Sequence, residues 1–142
     1  MYNDPIDSQQ KPPSGEGQRE IGRGDRDMME QMSAIKELVT LLGGNRARHC
    51  YYVLCCAIYV ALKHYPDEPR MRDICAEAAA LFCLNADALP KALSRAVIDI
   101  WETGDRSALE KLFRRCLVER PTPKCVVLVA AQYLKQEEMR SA

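Results

Sequence analysis

Basic and hydroxyl side chains recur on one side of the segment NADALPKALSRAVIDIW, residues 85–101. In a helix, Ala88, Lys91, Ser94 and Arg95 lie outward on the first two turns, because the apolar residues recur at helical spacing on the other side. Lysine and arginine reach guanine acceptors or phosphates, and serine can serve either. The segment therefore has the chemistry of a nucleic-acid contact, although such cations on an exposed helix face usually serve only solubility.

Two further groups of cations could contact phosphates. Arg46 and Arg48 lie in NRARH, residues 45–49, at the predicted start of a helix, where the helix dipole also favours an anion. The other group precedes the last predicted helix and comprises Arg114, Arg115, Arg120 and Lys124. The chain has 20 basic and 20 acidic residues. A nucleic-acid site must therefore be a local patch, which forms only if the fold brings these groups together.

Other chemistry finds little support in the residue types and spacings. The two histidines, His49 and His64, have no spaced partner that would suggest a catalytic triad or a metal site, and no glycine-rich phosphate loop occurs. Cys50, Cys55 and His49 match no common zinc-ligand spacing. The seven cysteines include no CxxC pair and are predicted to be reduced thiols of a cytoplasmic protein. No enzyme activity, metal or cofactor is expected.

Periodicity divides the chain into a disordered tail, residues 1–26, and a helical domain, residues 27–142. The tail contains few apolar residues and several prolines and glycines. An apolar stripe from Met28 to Leu42 predicts the first helix, which ends at Gly43–Gly44. Further helices are predicted over residues 47–63, 70–82, 87–103, 107–118 and 124–138. The sequence therefore predicts an all-α fold of six helices.

Two details of these helices can be tested directly. Pro90 has no N–H to donate, so it is tolerated only near a helix start, and Asp87 is the predicted N-cap. Ser107 is the predicted N-cap of the next helix, with Glu110 completing a capping box. The uncharged run YYVLCCAIYVAL, residues 51–62, is too short to cross a membrane and predicts a buried central helix.

The short loop between the third and fourth predicted helices fits a central helix-turn-helix, with residues 87–103 as the longer second helix and Asn85 in the turn. From Leu42 onward the sequence resembles the DNA-binding effector domain of the sporulation initiation response regulator, the stage-zero sporulation protein A family. The resemblance is carried by Gly43 with YYVLCCAI, by AAALF leading into NADALPKALSRAVIDIW, by ETGDRSALEKLF and by RPTPKCVVLVAAQYL. Its most specific pieces are the Trp101–Asp105 motif and the Leu-Phe pair at 112–113.

This resemblance implies a transcription regulator that inserts the helix at about 87–103 into the major groove of double-stranded DNA, with homodimers on tandem sites. Lys91 matches a basic position of the family's recognition helix, and Arg95 stands at a histidine position. Ala88 and Ser94 replace arginines, and Pro90 replaces an acidic residue. No receiver domain is expected in this chain, so phosphorylation control is not expected either.

The alternative hypothesis is a protein-interaction module of the same fold that has lost specific DNA binding and modulates a related regulator. The replaced arginines and the zero net charge favour it.

Overall fold

The computed structural model describes the backbone of residues 15–43 and 48–141, and the side chains of 27–43 and 48–140. These residues form α-helices and one short 3-10 helix, without a strand, so the predicted all-α class is confirmed. The helices are α1 (Gly15–Leu41), α2 (His49–His64), α3 (Met71–Phe82), α4 (Leu89–Thr103), α5 (Arg106–Phe113) and α6 (Pro123–Ser141), and the 3-10 helix is Ala86–Ala88.

The chain divides into two compact units, Met1–Gln31 and Met32–Ala142. The first unit is helical from Gly15 onward, whereas the sequence predicted a disordered tail up to residue 26. Glu16, Gln18 and Arg19 have high helix propensity, and extending a helix adds a hydrogen bond for each residue fixed. Glycines and low hydrophobicity therefore did not prevent helix formation here. Residues 1–14 of the predicted tail lie outside the described residues.

The second unit is built around α2, which contacts α3, α4 and α6. Nearly every residue of its uncharged run is buried, including Leu54, Ile58 and Val60. The prediction of a central core helix is thus confirmed. No helix among the described residues is long and apolar enough to span a membrane.

Two glycines allow the backbone after α1 to approach the backbone after α4. Gly43 has a φ of +97°, and a Cβ atom added to it would lie 2.5 Å from the Cα of Gly104. A Cβ on Gly104 would lie 2.4 Å from the carbonyl oxygen of Leu42. The N–H of Asp105 donates to that same carbonyl at 3.1 Å. Both glycines are therefore required by this contact.

The predicted bounds of α5 were wrong at both ends. Asp105, not Ser107, is the N-cap, and its carboxylate accepts from the N–H of Ala108 at 3.1 Å. The helix ends at Phe113, and Glu110 accepts from the N–H of Leu117 at 2.8 Å instead of completing a capping box. The cap position is thus taken by the acidic residue two positions earlier, and Glu110 holds the following loop.

An ion-pair cluster connects α2 with α3 at the surface. Glu77 of α3 lies 2.8 Å from Lys63 and 2.7 Å from His64, both in the last turn of α2. The hydrogen bond from Lys63, followed by that from His64, lowers the pKa of the Glu77 carboxyl. The pair α2–α3 is therefore fixed by polar contacts at its rim as well as by its buried apolar side chains.

Candidate nucleic-acid interface

The approach to α4 determines which of its side chains face outward. The Asn85 side chain accepts from the N–H of Asp87 at 3.0 Å, and the 3-10 helix Ala86–Ala88 follows. The α-helix begins at Leu89, so that Pro90 lies in its first turn. The predicted cap at Asp87 was wrong. Asn85 can start this segment because the 3-10 turn absorbs the extra residues and leaves Pro90 where its missing N–H has no helical partner to lose.

The two sides of α4 are clearly separated by burial. The predicted outward residues Ala88, Lys91, Ser94 and Arg95 are all exposed, as is Asn85 in the preceding turn. The inward side is buried and consists of Leu89, Leu93, Ala96, Val97 and Ile100. Trp101 is partly buried, with the guanidinium carbon of Arg106 3.4 Å from its ring centroid. The predicted division of α4 into a core side and a surface side is confirmed.

Acidic residues share the outward side of α4 with the cations. Glu102 is exposed in the last turn, and Asp99 lies one turn after Arg95. Asp87 is exposed just before the helix. The cations Lys91 and Arg95 therefore stand between carboxylates, so this side as a whole has no positive excess.

One of the other predicted cations lies next to α4. A small pocket of about 130 Å³ separates α4 from the loop before α6 and is lined by Ser94, Ile98, Arg120 and Thr122, among others. Lys124 is exposed at the beginning of α6. The fold thus brings Arg120 beside Ser94 and extends the polar surface from α4 to the start of α6.

Arg114 and Arg115 point to a different part of the surface. A guanidinium N–H of Arg114 donates to the side chain of Gln136 at 3.0 Å, and Arg115 lies over the ring of Phe113 at 5.8 Å. Gln136 follows Lys124 by three turns of α6, a separation of about 18 Å along the helix axis. The cations that the sequence grouped together are therefore divided between the two ends of α6.

Arg48 is engaged within the protein. Its guanidinium lies 3.4 Å from the Asp99 carboxylate of α4, which also accepts a hydrogen bond from the buried hydroxyl of Tyr51. Burial and the Asp99 hydrogen bond raise the pKa of Tyr51 above its ordinary range, so the hydroxyl stays protonated. Thr103 adds a third bond to Asp99, at 3.2 Å. Arg46, the neighbouring predicted cation, lies outside the described residues.

Sequence reasoning missed this Asp99 network. Tyr51 begins an uncharged run that predicted only burial, and the sequence analysis did not single out Asp99. A buried tyrosine needs a partner for its hydroxyl, which is the one signal that the sequence offered.

The described residues contain no group of three or more histidine, cysteine, aspartate or glutamate side chains placed to hold a metal ion. Cys50 and Cys55 are buried, whereas His49 is exposed. No protein-family model matches the chain, and no curated protein matches it.

Proposed function

We propose that this protein is a DNA-binding transcription regulator, with α4 as the recognition helix in the major groove of double-stranded DNA. One observation carries the proposal: Lys91, Ser94 and Arg95 are exposed together on the first two turns of α4, with Arg120 beside Ser94. The resemblance to the sporulation regulator's effector domain supports the same use of this helix. The protein would act in the cytoplasm, without a cofactor and without enzyme activity, and could bind tandem sites as a homodimer.

The contacts divide by position along the surface. A helix with its side chains is about 10–12 Å across and fits a major groove about 12 Å wide. Lys91 and Arg95 would reach base edges or phosphates from inside the groove, while Arg120 and Lys124 would contact a phosphate backbone. Asn85 stands at the entry of the helix, where its amide N–H groups can donate to a phosphate. Arg48, Arg114 and Arg115 have partners elsewhere and are left out of this interface.

The test is to select DNA sequences that bind the purified chain from a random pool and to measure their affinity at several salt concentrations. We expect affinity to fall steeply with salt, because each phosphate contact releases a counterion. The double variant Lys91→Ala and Arg95→Ala should weaken specific binding by roughly tenfold or more and reduce the salt slope. A matched double variant, Lys111→Ala and Arg140→Ala, removes the same charge from α5 and α6 and should bind as the original chain does. Unchanged specific binding by the α4 variant would show that α4 is not the recognition helix.

The second candidate function is a protein-interaction module that modulates a related regulator. The specific observation that favours it is that the carboxylates of Asp87, Asp99 and Glu102 flank Lys91 and Arg95 at the start and along one side of α4, and carboxylates repel phosphates. Ala88 and Ser94, which stand at arginine positions of the family, favour it too. Co-elution with a full-length regulator in size-exclusion chromatography, together with no DNA shift at low salt, would select this candidate over the first.

A further inference from the structure

A pocket between α1 and α2 has the composition of a small-molecule site. Its volume is about 250 Å³, and its walls are Lys36, Val39, Tyr51, Tyr52 and Cys55. A cavity of roughly 150 Å³ can hold a benzene ring, so this pocket has room for one substituted ring. Two tyrosines, a valine and a thiol provide apolar and aromatic surface, which is the usual lining of ligand pockets.

Among the described residues that line the pocket, Lys36 alone carries a charge, on its ammonium group. Among the side chains that the structure describes, Lys36 forms no ion pair with a carboxylate, whereas Lys63 and Lys135 each do. Lys36 also acts electrostatically on Cys56, beside the pocket. Burial raises the pKa of the Cys56 thiol to about 12, with the hydrogen bond of Tyr52 and the charge of Lys36 opposing that rise. A single unpaired cation at an aromatic pocket favours an organic anion.

The pocket is connected to α4 by one shared residue. Tyr51 forms part of the wall, and its hydroxyl donates to the carboxylate of Asp99 in α4. Tyr51 is only 1% exposed. A ligand that displaces the Tyr51 ring must also displace its hydroxyl and so alter the hydrogen bond to Asp99. A molecule bound between α1 and α2 would therefore be sensed at Asp99.

The geometry points to this pocket as a binding site for a small aromatic anion, with the anionic group at Lys36 and the ring between Val39 and the two tyrosines. The pocket lining contains none of the proposed DNA contacts Lys91, Ser94 and Arg95, so ligand binding there can be tested separately from DNA binding.

Phenylacetate and its neutral isostere phenylacetamide are suitable probes, titrated into the isotopically labelled chain while amide chemical shifts are recorded. We expect phenylacetate to shift the amides of Val39, Tyr52 and Cys55 and to bind more tightly than phenylacetamide. Lys36→Met should weaken phenylacetate by about three- to tenfold, as expected for a partly exposed ion pair, and leave phenylacetamide unchanged. The control Lys111→Met removes a lysine on α5 and should not alter either titration.

A third variant separates binding from its transmission to α4. Tyr51→Phe keeps the ring in the wall but removes the hydroxyl, so phenylacetate should still bind while the shifts at Asp99 and Thr103 disappear. The inference is overturned if neither probe shifts the pocket amides, or if Lys36→Met weakens both probes equally. It is also overturned if Lys111→Met has the same effect as Lys36→Met.

Discussion

Asp99 makes polar contacts with three residues that lie near or within α4. Its carboxylate is shared by Arg48, Tyr51 and Thr103, so one side chain joins the start of α2 to the second half of α4. Arg48 forms an ion pair with Asp99 inside the protein. The number of basic residues in the sequence therefore overstates the number that can contact DNA. Asp99 thus fixes the orientation of α4 and at the same time lowers the positive charge of its outward side.

Gly104 gives a stability prediction at the residue scale. In Gly104→Ala the new Cβ would lie 2.4 Å from the Leu42 carbonyl and 2.6 Å from that of Ile100, and neither backbone atom can move without disturbing the core. We expect the free energy of unfolding to fall by about 1–3 kcal/mol, as for other overpacked sites. Urea denaturation measures this change. A variant as stable as the original chain would contradict the close backbone contact between Gly43 and Gly104.

At the scale of elements, the starts of α4 and α5 depended on which nearby polar side chain accepts a hydrogen bond from the free backbone N–H groups. Several residues near each start could act as caps, and local propensity does not rank Asp87 above Asn85, or Ser107 above Asp105. The conformation of the preceding turn decides which carboxylate or amide reaches the free N–H. The observed caps are therefore Asn85 and Asp105, whose side chains this conformation brings to the free N–H groups.

The cap of α5 can be tested by two single substitutions. Asp105→Ala removes the acceptor for the Ala108 N–H and should lower the free energy of unfolding by about 1 kcal/mol. Ser107→Ala, within the helix, should change it by less than about 0.5 kcal/mol, as surface substitutions usually do. Chemical denaturation of both variants decides the matter, and a larger loss for the serine variant would restore Ser107 as the cap.

The contact between α2 and α3 predicts a dependence of stability on pH. The pKa of Glu77 is lowered below its ordinary value of 4.5 in the folded chain, so its contribution is fully present above pH 4.5 and is lost as pH falls through the folded pKa. Because the cluster is surface-exposed, we expect a contribution of at most about 1 kcal/mol. Glu77→Gln should therefore be less stable than the original chain at pH 7, and the difference should shrink below pH 4.5. A difference that persists at low pH would exclude this ion pair as its cause.

For the whole molecule, zero net charge means that function depends on how the charges are distributed. The fold separates the predicted basic clusters: Arg120 and Lys124 extend the surface of α4, Arg48 pairs with Asp99, and Arg114 pairs with Gln136. The cations that remain exposed at or near α4 are Lys91, Arg95, Arg120 and Lys124, and the carboxylates of Asp87 and Glu102 are exposed on the same surface. An excess of cations on this surface would favour the proposed DNA binding, whereas an equal number of carboxylates would favour the proposed protein interaction.

Cysteine accessibility provides a prediction for the whole fold. Cys83, Cys116 and Cys125 are exposed, whereas Cys50, Cys55, Cys56 and Cys75 are buried. In the native chain at neutral pH, a thiol reagent should modify the three exposed cysteines quickly and the remaining four only after unfolding, because burial also raises the pKa of Cys56 and Cys75. Mass spectrometry of labelled peptides counts the sites. Fast modification of Cys56 would contradict the packed core around α2.

The sequence by itself determined the all-α class, the approximate helices, the two sides of α4 and the helix stop at Gly43, because each depends on residues only a few positions apart. It did not determine the partners of Arg48 and Arg114, the position of Arg120 near Ser94, or the contact between Gly43 and Gly104. Those contacts join segments distant along the chain, and their positions are set by how all the helices pack around α2. Tertiary packing alone decided which of the predicted cations lie beside α4.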